Sequence, residues 1–233
     1  MTSAPEPRRP SLATMLIEAA AFLRSLAERG DVSPGADIPR GDGHAVLVLP
    51  SVGRGDGQTA PIRAFLAAVG YRPFGWELGI NFGPTAKLLA GAMDRLTVLA
   101  AAHGPVSLVG YSMGGLFARW LALRAPQSVR QAITVCSPFR DPAGSAAFPL
   151  EPLLDFWPGV DLRSLAQEVE RPLSVPGTFL YSRADGIVAW SHCIDANAAP
   201  GDNIEVTGPH TTMPVNPQVM RLLAERLARK PPA

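Results

Sequence analysis

Gly110-Tyr111-Ser112-Met113-Gly114 places a serine between two glycines, two residues away on either side. A serine hydroxyl is a poor nucleophile unless a base can take its proton. A sharp turn from strand to helix presents the hydroxyl to such a base by forcing the serine into a strained backbone conformation. The flanking Gly110 and Gly114 have no β-carbon to collide across that turn. The pentapeptide alone is weak evidence, since a glycine-rich chain produces it by chance roughly once in eight. Its context is stronger. An apolar run, VSLVG, leads into it and a helical pattern, LFARWLALRA, follows. The chemistry implied is attack of Ser112 on a carbonyl carbon, giving an acyl-serine that water then cleaves.

Such a nucleophile needs a base and an acid. The chain has four histidines. His44 precedes an apolar run and His103 sits between a helix and a strand, so both are expected as exposed loop residues. His192 follows SRADGIVAW. His210 lies in VTGPHTTMPVNP, just after the last strand pattern, and is the expected base. Parallel sheets collect catalytic groups at the carboxyl ends of their strands, where both Ser112 and His210 fall. The acid should follow a strand between them, and Asp185 in YSRADGIV does, with Gly186 allowing the loop to turn. Asp195 and Asp202 are the fallbacks. In this scheme His210 deprotonates Ser112, and Asp185 holds the imidazole tautomer and stabilises the imidazolium. The oxyanion would be met by the backbone N–H of Met113 and by that of Val52 in the loop LPSVGRGDG.

These groups need a scaffold. Ala45 to Pro50, Tyr71 to Trp76, Val106 to Tyr111, Val129 to Cys136, Gly177 to Tyr181 and Asn203 to Thr207 read as strands. Continuous apolar runs such as AVLVLP suit strands buried on both faces. Ala60 to Val69, Pro84 to Ala102, Met113 to Ala125 and Pro217 to Arg229 read as helices between or after them. The alternation predicts an α/β fold with a mostly parallel sheet covered by helices on both faces.

Residues 1–10 are expected to be disordered and 11–233 to form one domain. Ser11 can cap a helix running to about Arg29, with Gly30 as its stop. Leu12, Met15, Leu16, Ala19, Leu23, Leu26 and Ala27 make an apolar stripe on it, expected to pack against the domain. The rhythm breaks at about 138–176, an insertion with short helical patterns near Glu151 to Phe156 and Asp161 to Glu170.

The 233 residues carry 21 basic and 20 acidic side chains, a net charge of +1. That balance offers no footprint for nucleic acid and no long-range attraction to anionic membranes. The longest apolar stretch is interrupted by Glu18 and Arg24, so no segment reads as membrane-spanning. Cys136 and Cys193 are distant in sequence and lack metal-ligand spacing, and are read as free thiols, with a single disulfide between them as the alternative. Without an evident secretory signal, the chain reads as cytoplasmic.

Taken together, GDGHAVLVLP, GWELGINFGP, GYSMGG, CSPF, YSRADGIV and GPHTTMPVNP resemble bacterial α/β-hydrolases of the lipase/esterase type, over about Gly41 to Arg229. The resemblance implies the α/β-hydrolase fold, the triad Ser112, Asp185 and His210, and a carboxylic-ester hydrolase that uses no cofactor or metal. Relatives usually carry glycine where this chain has Ser51, so the first oxyanion loop is expected to differ in shape. Phe139, Phe148, Leu153, Phe156 and Trp157 are expected to form a lid or acyl-binding wall for lipophilic esters, with transient contact to a lipid surface allowed. An acyltransferase with the same triad and a non-catalytic, hydrolase-like binding protein are the alternatives. The sequence does not define the oligomeric state.

Overall fold

The computed structural model describes residues 10–25, 34–35, 37–140 and 159–229. The element order is α1 (Leu12–Ser25), β1 (Ala45–Leu49), α2 (Asp56–Ala68), β2 (Arg72–Gly75), α3 (Ala86–His103), β3 (Val106–Tyr111) and α4 (Met113–Arg124). It continues with β4 (Val129–Val135), α5 (Leu162–Val169), β5 (Gly177–Tyr181), β6 (Asn203–Glu205) and α6 (Pro217–Leu227). The six strands form one sheet in the order β2-β1-β3-β4-β5-β6, and every pairing is parallel.

The period-2 rule explains why both faces are apolar. Along β1, Ala45, Leu47 and Leu49 join the core under α3 and α4, while Val46 and Val48 join the core under α2 and α6. The weakest strand residue, Pro73, lies in β2 at the edge of the sheet, where a missing amide is tolerated.

From β1 the chain steps outward to β2, then returns past β1 to lay down β3. This reversal makes the gap between the carboxyl ends of β1 and β3 a topological switch point, where parallel sheets open a crevice. Leu49 pairs with Gly110 at that end, so the loop after β1 and the turn after β3 leave the sheet side by side.

Most boundaries move by one or two residues, and two of the shifts have a visible cause. Helix α2 begins at Asp56 and not at Ala60, with Pro61 inside it. Asp56 makes the early start worthwhile: its carboxylate accepts the Trp76 and Glu77 amides at 3.0 Å each, tying the helix to the end of β2. A β-carbon on Gly75 would sit 2.5 Å from that carboxylate, so a side chain there would push it off the two amides. Strand β6 stops at Glu205, because the Thr207 amide donates to Gln218 Oε1 (2.9 Å) instead of to a neighbouring strand.

Helix α1 is the larger surprise. Its apolar stripe was expected to face the domain, yet Leu12 (72%), Leu16 (65%) and Leu23 (67%) are exposed. Among its described side chains, the one it buries is Glu18, 6% exposed. Leu26, Ala27, the expected disordered N-terminus and the short pattern at 151–156 lie outside the described residues. The second pattern of the insertion is α5, capped by Asp161, whose carboxylate accepts the Arg163 and Ser164 amides.

Candidate active site

Ser112 stands at the junction of β3 and α4 with φ 53° and ψ −124°. For a residue with a β-carbon this is strained backbone. Several features hold the strain in place. The Ser112 amide donates to Val135 O at 2.9 Å, fixing the turn to the end of β4. A β-carbon on Gly114 would lie 2.2 Å from Leu49 O, and one on Gly110 would lie 2.4 Å from Gly114 O. Gly115 is equally constrained, 2.0 Å from Ser137 Oγ. The helix start can pack this close to β1 and β4 because three glycines clear its path.

His210 opens a 3₁₀ turn, His210–Val215, beyond β6. Its Nδ1 lies 2.6 Å from Asp185 Oδ2, and both side chains are buried. Burial by itself would lower the imidazole pKa. Attraction to Asp185, the hydrogen bond between them and the charge of Glu18 outweigh it, so the pKa stands above its ordinary value. Asp185 is held in turn: its Oδ1 accepts the Ile187 and Val188 amides at 2.8 Å each. The Tyr111 hydroxyl donates to His210 O at 2.8 Å, linking the residue before Ser112 to the histidine loop. Ser112 and His210 line one cleft of about 780 Å³, with Val52, Ile80, Ile187 and Pro214 among its walls. The structure therefore gathers Ser112, Asp185 and His210 from three strand ends.

The loop after β1 departs from the expected shape in an informative way. Ser51 does not adopt positive φ; that role falls to Gly53, at 70°. The serine is used as a hydrogen-bonding post. Its amide and its hydroxyl donate to Gln58 Oε1 at 3.0 and 2.9 Å. Buried Asn81 clamps the same loop, with Nδ2 donating to Pro50 O (2.8 Å) and its carbonyl accepting the Gly53 amide (2.7 Å). Val52 borders the cleft, half exposed, and Met113 sits at the helix start with its side chain in the core.

Other candidates fall elsewhere. His44 is not an exposed loop residue: its ring is largely covered, bonded through Nε2 to Ser107 Oγ (2.8 Å) and edge-on to Tyr71. It stands at the amino end of β1, opposite the cleft. His103 is exposed, stacked on Phe74. His192 is buried in the 3₁₀ turn Trp190–Cys193, away from the cleft lining. Asp195 pairs with buried Arg119 (2.7 Å), and Asp202 with Arg226 (2.7 Å), so both fallback acids have structural partners. Phe139 does not face the cleft. It is buried in the core against Phe179, with the Arg119 guanidinium 4.1 Å from its ring. Phe148, Leu153, Phe156 and Trp157 lie outside the described residues.

Cys136 and Cys193 are free and buried. The Cys136 sulfur belongs to a cluster with Asp185 and His210, whose ligand-type atoms lie within 4.8 Å of one another. Burial, reinforced by the Asp185 charge, pushes the Cys136 thiol well above its ordinary pKa. A protonated thiol beside a histidine already bonded to a carboxylate is a poor metal-ligand set.

The sequence reading missed Glu18, Gln58 and Asn81. Glu18 left one signal, a lone carboxylate inside an otherwise apolar helical stretch. Gln58 and Asn81 left none, because amides that brace a loop resemble any other polar residues.

Comparison with known proteins agrees with this architecture. The family model of the α/β hydrolase fold matches residues 84–188. Among solved structures, one reported for LipS and LipT, two metagenome-derived lipolytic enzymes, superposes with a TM-score of 0.60 at 16% identity, covering 83% of this chain and 96% of that one. MGS-MChE2, an α/β hydrolase from the metagenome of lagoon sediments at Mar Chica, Morocco, gives 0.51 at 15% identity, with 80% and 91% covered. The thioesterase domain from the curacin biosynthetic pathway gives 0.52 at 15% identity, with 82% and 93% covered. No curated protein matches the sequence. The chain is an α/β-hydrolase-fold protein.

Proposed function

We propose that this protein is a serine hydrolase of carboxylic esters, with Ser112 as nucleophile, His210 as general base and Asp185 as the acid that orients it. The observation that carries this reading is the buried 2.6 Å contact between His210 Nδ1 and Asp185 Oδ2, at the edge of the cleft that also holds strained Ser112. With Nδ1 committed to the carboxylate, Nε2 is left to accept the Ser112 proton. Attack on the ester carbonyl gives a tetrahedral oxyanion, met by the Val52 and Met113 amides. Collapse expels the alcohol, which takes its proton from His210. Water, deprotonated by the same imidazole, then cleaves the acyl-serine.

The apolar walls of the cleft, including Val52, Ile80, Ile187 and Val215, favour a neutral, lipophilic ester. The lipolytic and thioesterase activities named for proteins of similar fold are consistent with acyl transfer to water.

A fluorophosphonate probe tests the reading directly. Ser112 is expected to be labelled, with p-nitrophenyl butyrate hydrolysis abolished in parallel. Ser112→Ala should block labelling and lower kcat by roughly 10⁴-fold or more while leaving the fold intact. Folded wild-type protein that takes no label would overturn the assignment in favour of a binding protein. Added alcohol distinguishes the remaining alternative: an acyltransferase would form a new ester in preference to free acid.

A further inference from the structure

The carboxylate of Glu18 is buried, and the bonds described for it run to backbone amides and to no side-chain cation among the described residues. Oε2 accepts the His210 amide at 2.7 Å and the Gly186 amide at 3.2 Å, and Oε1 accepts the Thr211 amide at 2.6 Å. Gly186 follows the proposed acid, and His210 is the proposed base. One carboxylate from α1 thus grips both loops whose spacing sets the 2.6 Å contact between Asp185 and His210. Hydrogen bonds to a charged acceptor are short and about twice as strong as neutral ones, so three of them hold firmly.

A second, independent observation points the same way. A β-carbon on Gly186 would lie 2.3 Å from Thr14 O and 2.8 Å from Glu18 Cβ. The acid loop is built to receive α1 in contact, and the glycine after Asp185 serves that contact; its φ is not in the left-handed region, so the turn itself does not demand it. Helix α1 also leaves its leucines exposed to bring Glu18 inward, an arrangement that hydrophobic burial alone would reverse.

We propose that Glu18 is a positioning residue for the hydrolase reaction: it yokes the Asp185 loop to the His210 loop and sets the charge that the imidazole feels. This rests on the triad reading given above. Its charge acts in one direction. A carboxylate near His210 favours the imidazolium, alongside Asp185. The other groups facing the histidine are Tyr111, from β3, and Cys136, at the end of β4; burial keeps both protonated, and Arg54 borders the same cleft.

The test is a titration of the His210 ring by NMR in ring-labelled full-length protein, compared between wild type and Glu18→Gln. The glutamine keeps size and one acceptor but removes the charge. The expected result is a lower imidazole pKa in Glu18→Gln, with faster amide exchange at Gly186, His210 and Thr211. In turnover, kcat should fall about 10–100-fold, because small misplacements of a base carry such losses, and the acid limb of kcat/KM should move to lower pH. Glu18→Asp, which keeps the charge on a shorter arm, should lose kcat without moving that limb. A merely structural role would lower activity with no shift in the limb or the ring titration. An unchanged titration together with wild-type amide exchange overturns the proposal. If Glu18→Gln does not fold, the same titration in Gly186→Ala decides, since its new β-carbon pushes α1 away from the other side. The titration and exchange need no ester turnover, so they judge the clamp even if Ser112 is found unreactive.

Discussion

At the scale of single residues, the site depends on where protons sit. In the proposed reaction His210 must be neutral to take the Ser112 proton. Burial disfavours its charge, but Asp185 and Glu18 prevail and raise its pKa above the ordinary value near 6.5. Activity should therefore fade on the acid side at a pH above 6.5, not below it, and kcat/KM measured from pH 5 to 9 checks this. The same shift has the opposite sense for stability. A folded-state pKa above the unfolded one stabilises the fold fully below the unfolded value and loses that contribution as pH rises through the folded one. So the pH at which His210 best supports the fold is not the pH at which it can act as a base. That Asp185 and His210 would meet was legible in the sequence, because each falls in a loop after a strand pattern on the same end of a parallel sheet as Ser112. What braces them was not. Ser51 reads as a defect when glycine is expected, and only the fold shows Gln58 waiting for its amide and hydroxyl.

At the scale of elements, the central strand β1 was readable because it is a short, continuous apolar run, whereas the edge strands β2 and β6 carry polar residues and were placed by the alternation with helices. Helix α4 was readable because it follows the serine turn directly. Helix α1 was misread in orientation. Its apolar period predicts one face, and three backbone amides on two distant loops select another. Tertiary hydrogen bonding overrode the local pattern. Helix α5, from the insertion, is fastened by different means. Arg119 of α4 is wholly buried, and its guanidinium donates to Val169 O (2.5 Å), Arg171 O (2.9 Å) and Asp195 (2.7 Å). Removing Asp195, the anion hydrogen-bonded to it, leaves a buried cation without its closest charge partner. Asp195→Ala should therefore destabilise the protein by about 3–5 kcal/mol, the usual loss when one member of a buried pair is deleted. Urea or thermal unfolding measures it. Arg119→Met combined with Asp195→Ala should recover part of the loss, since the uncompensated charge is then gone.

At the scale of the whole molecule, the strand order creates the working end. The reversal between β1 and β3 leaves one crevice, and the loop after β1, the serine turn, the Asp185 loop and the His210 turn all meet there. With a net charge of +1, little long-range field steers a charged substrate to it. Selectivity should therefore come from apolar contact. Across p-nitrophenyl esters from acetate to long chains, kcat/KM should rise as the acyl chain begins to fill the cleft. One methylene in such a pocket is worth about 1–3 kcal/mol at most, so the early steps should be steep. A flat series would assign the apolar walls to packing. Among the described residues no helix is long and apolar enough to cross a membrane.

The contact between α1 and Gly186 joins positions 168 residues apart in the chain. A helix backbone passing 2.3 Å from where a side chain would begin allows no compromise between the two. They form a single heritable unit. A lineage that loses or relocates the helix is released from glycine after the aspartate. One that acquires a side chain there must already have let the helix go. In an alignment of close relatives, this glycine and the buried glutamate should appear and vanish together, leaving a trace of the docking in sequence alone.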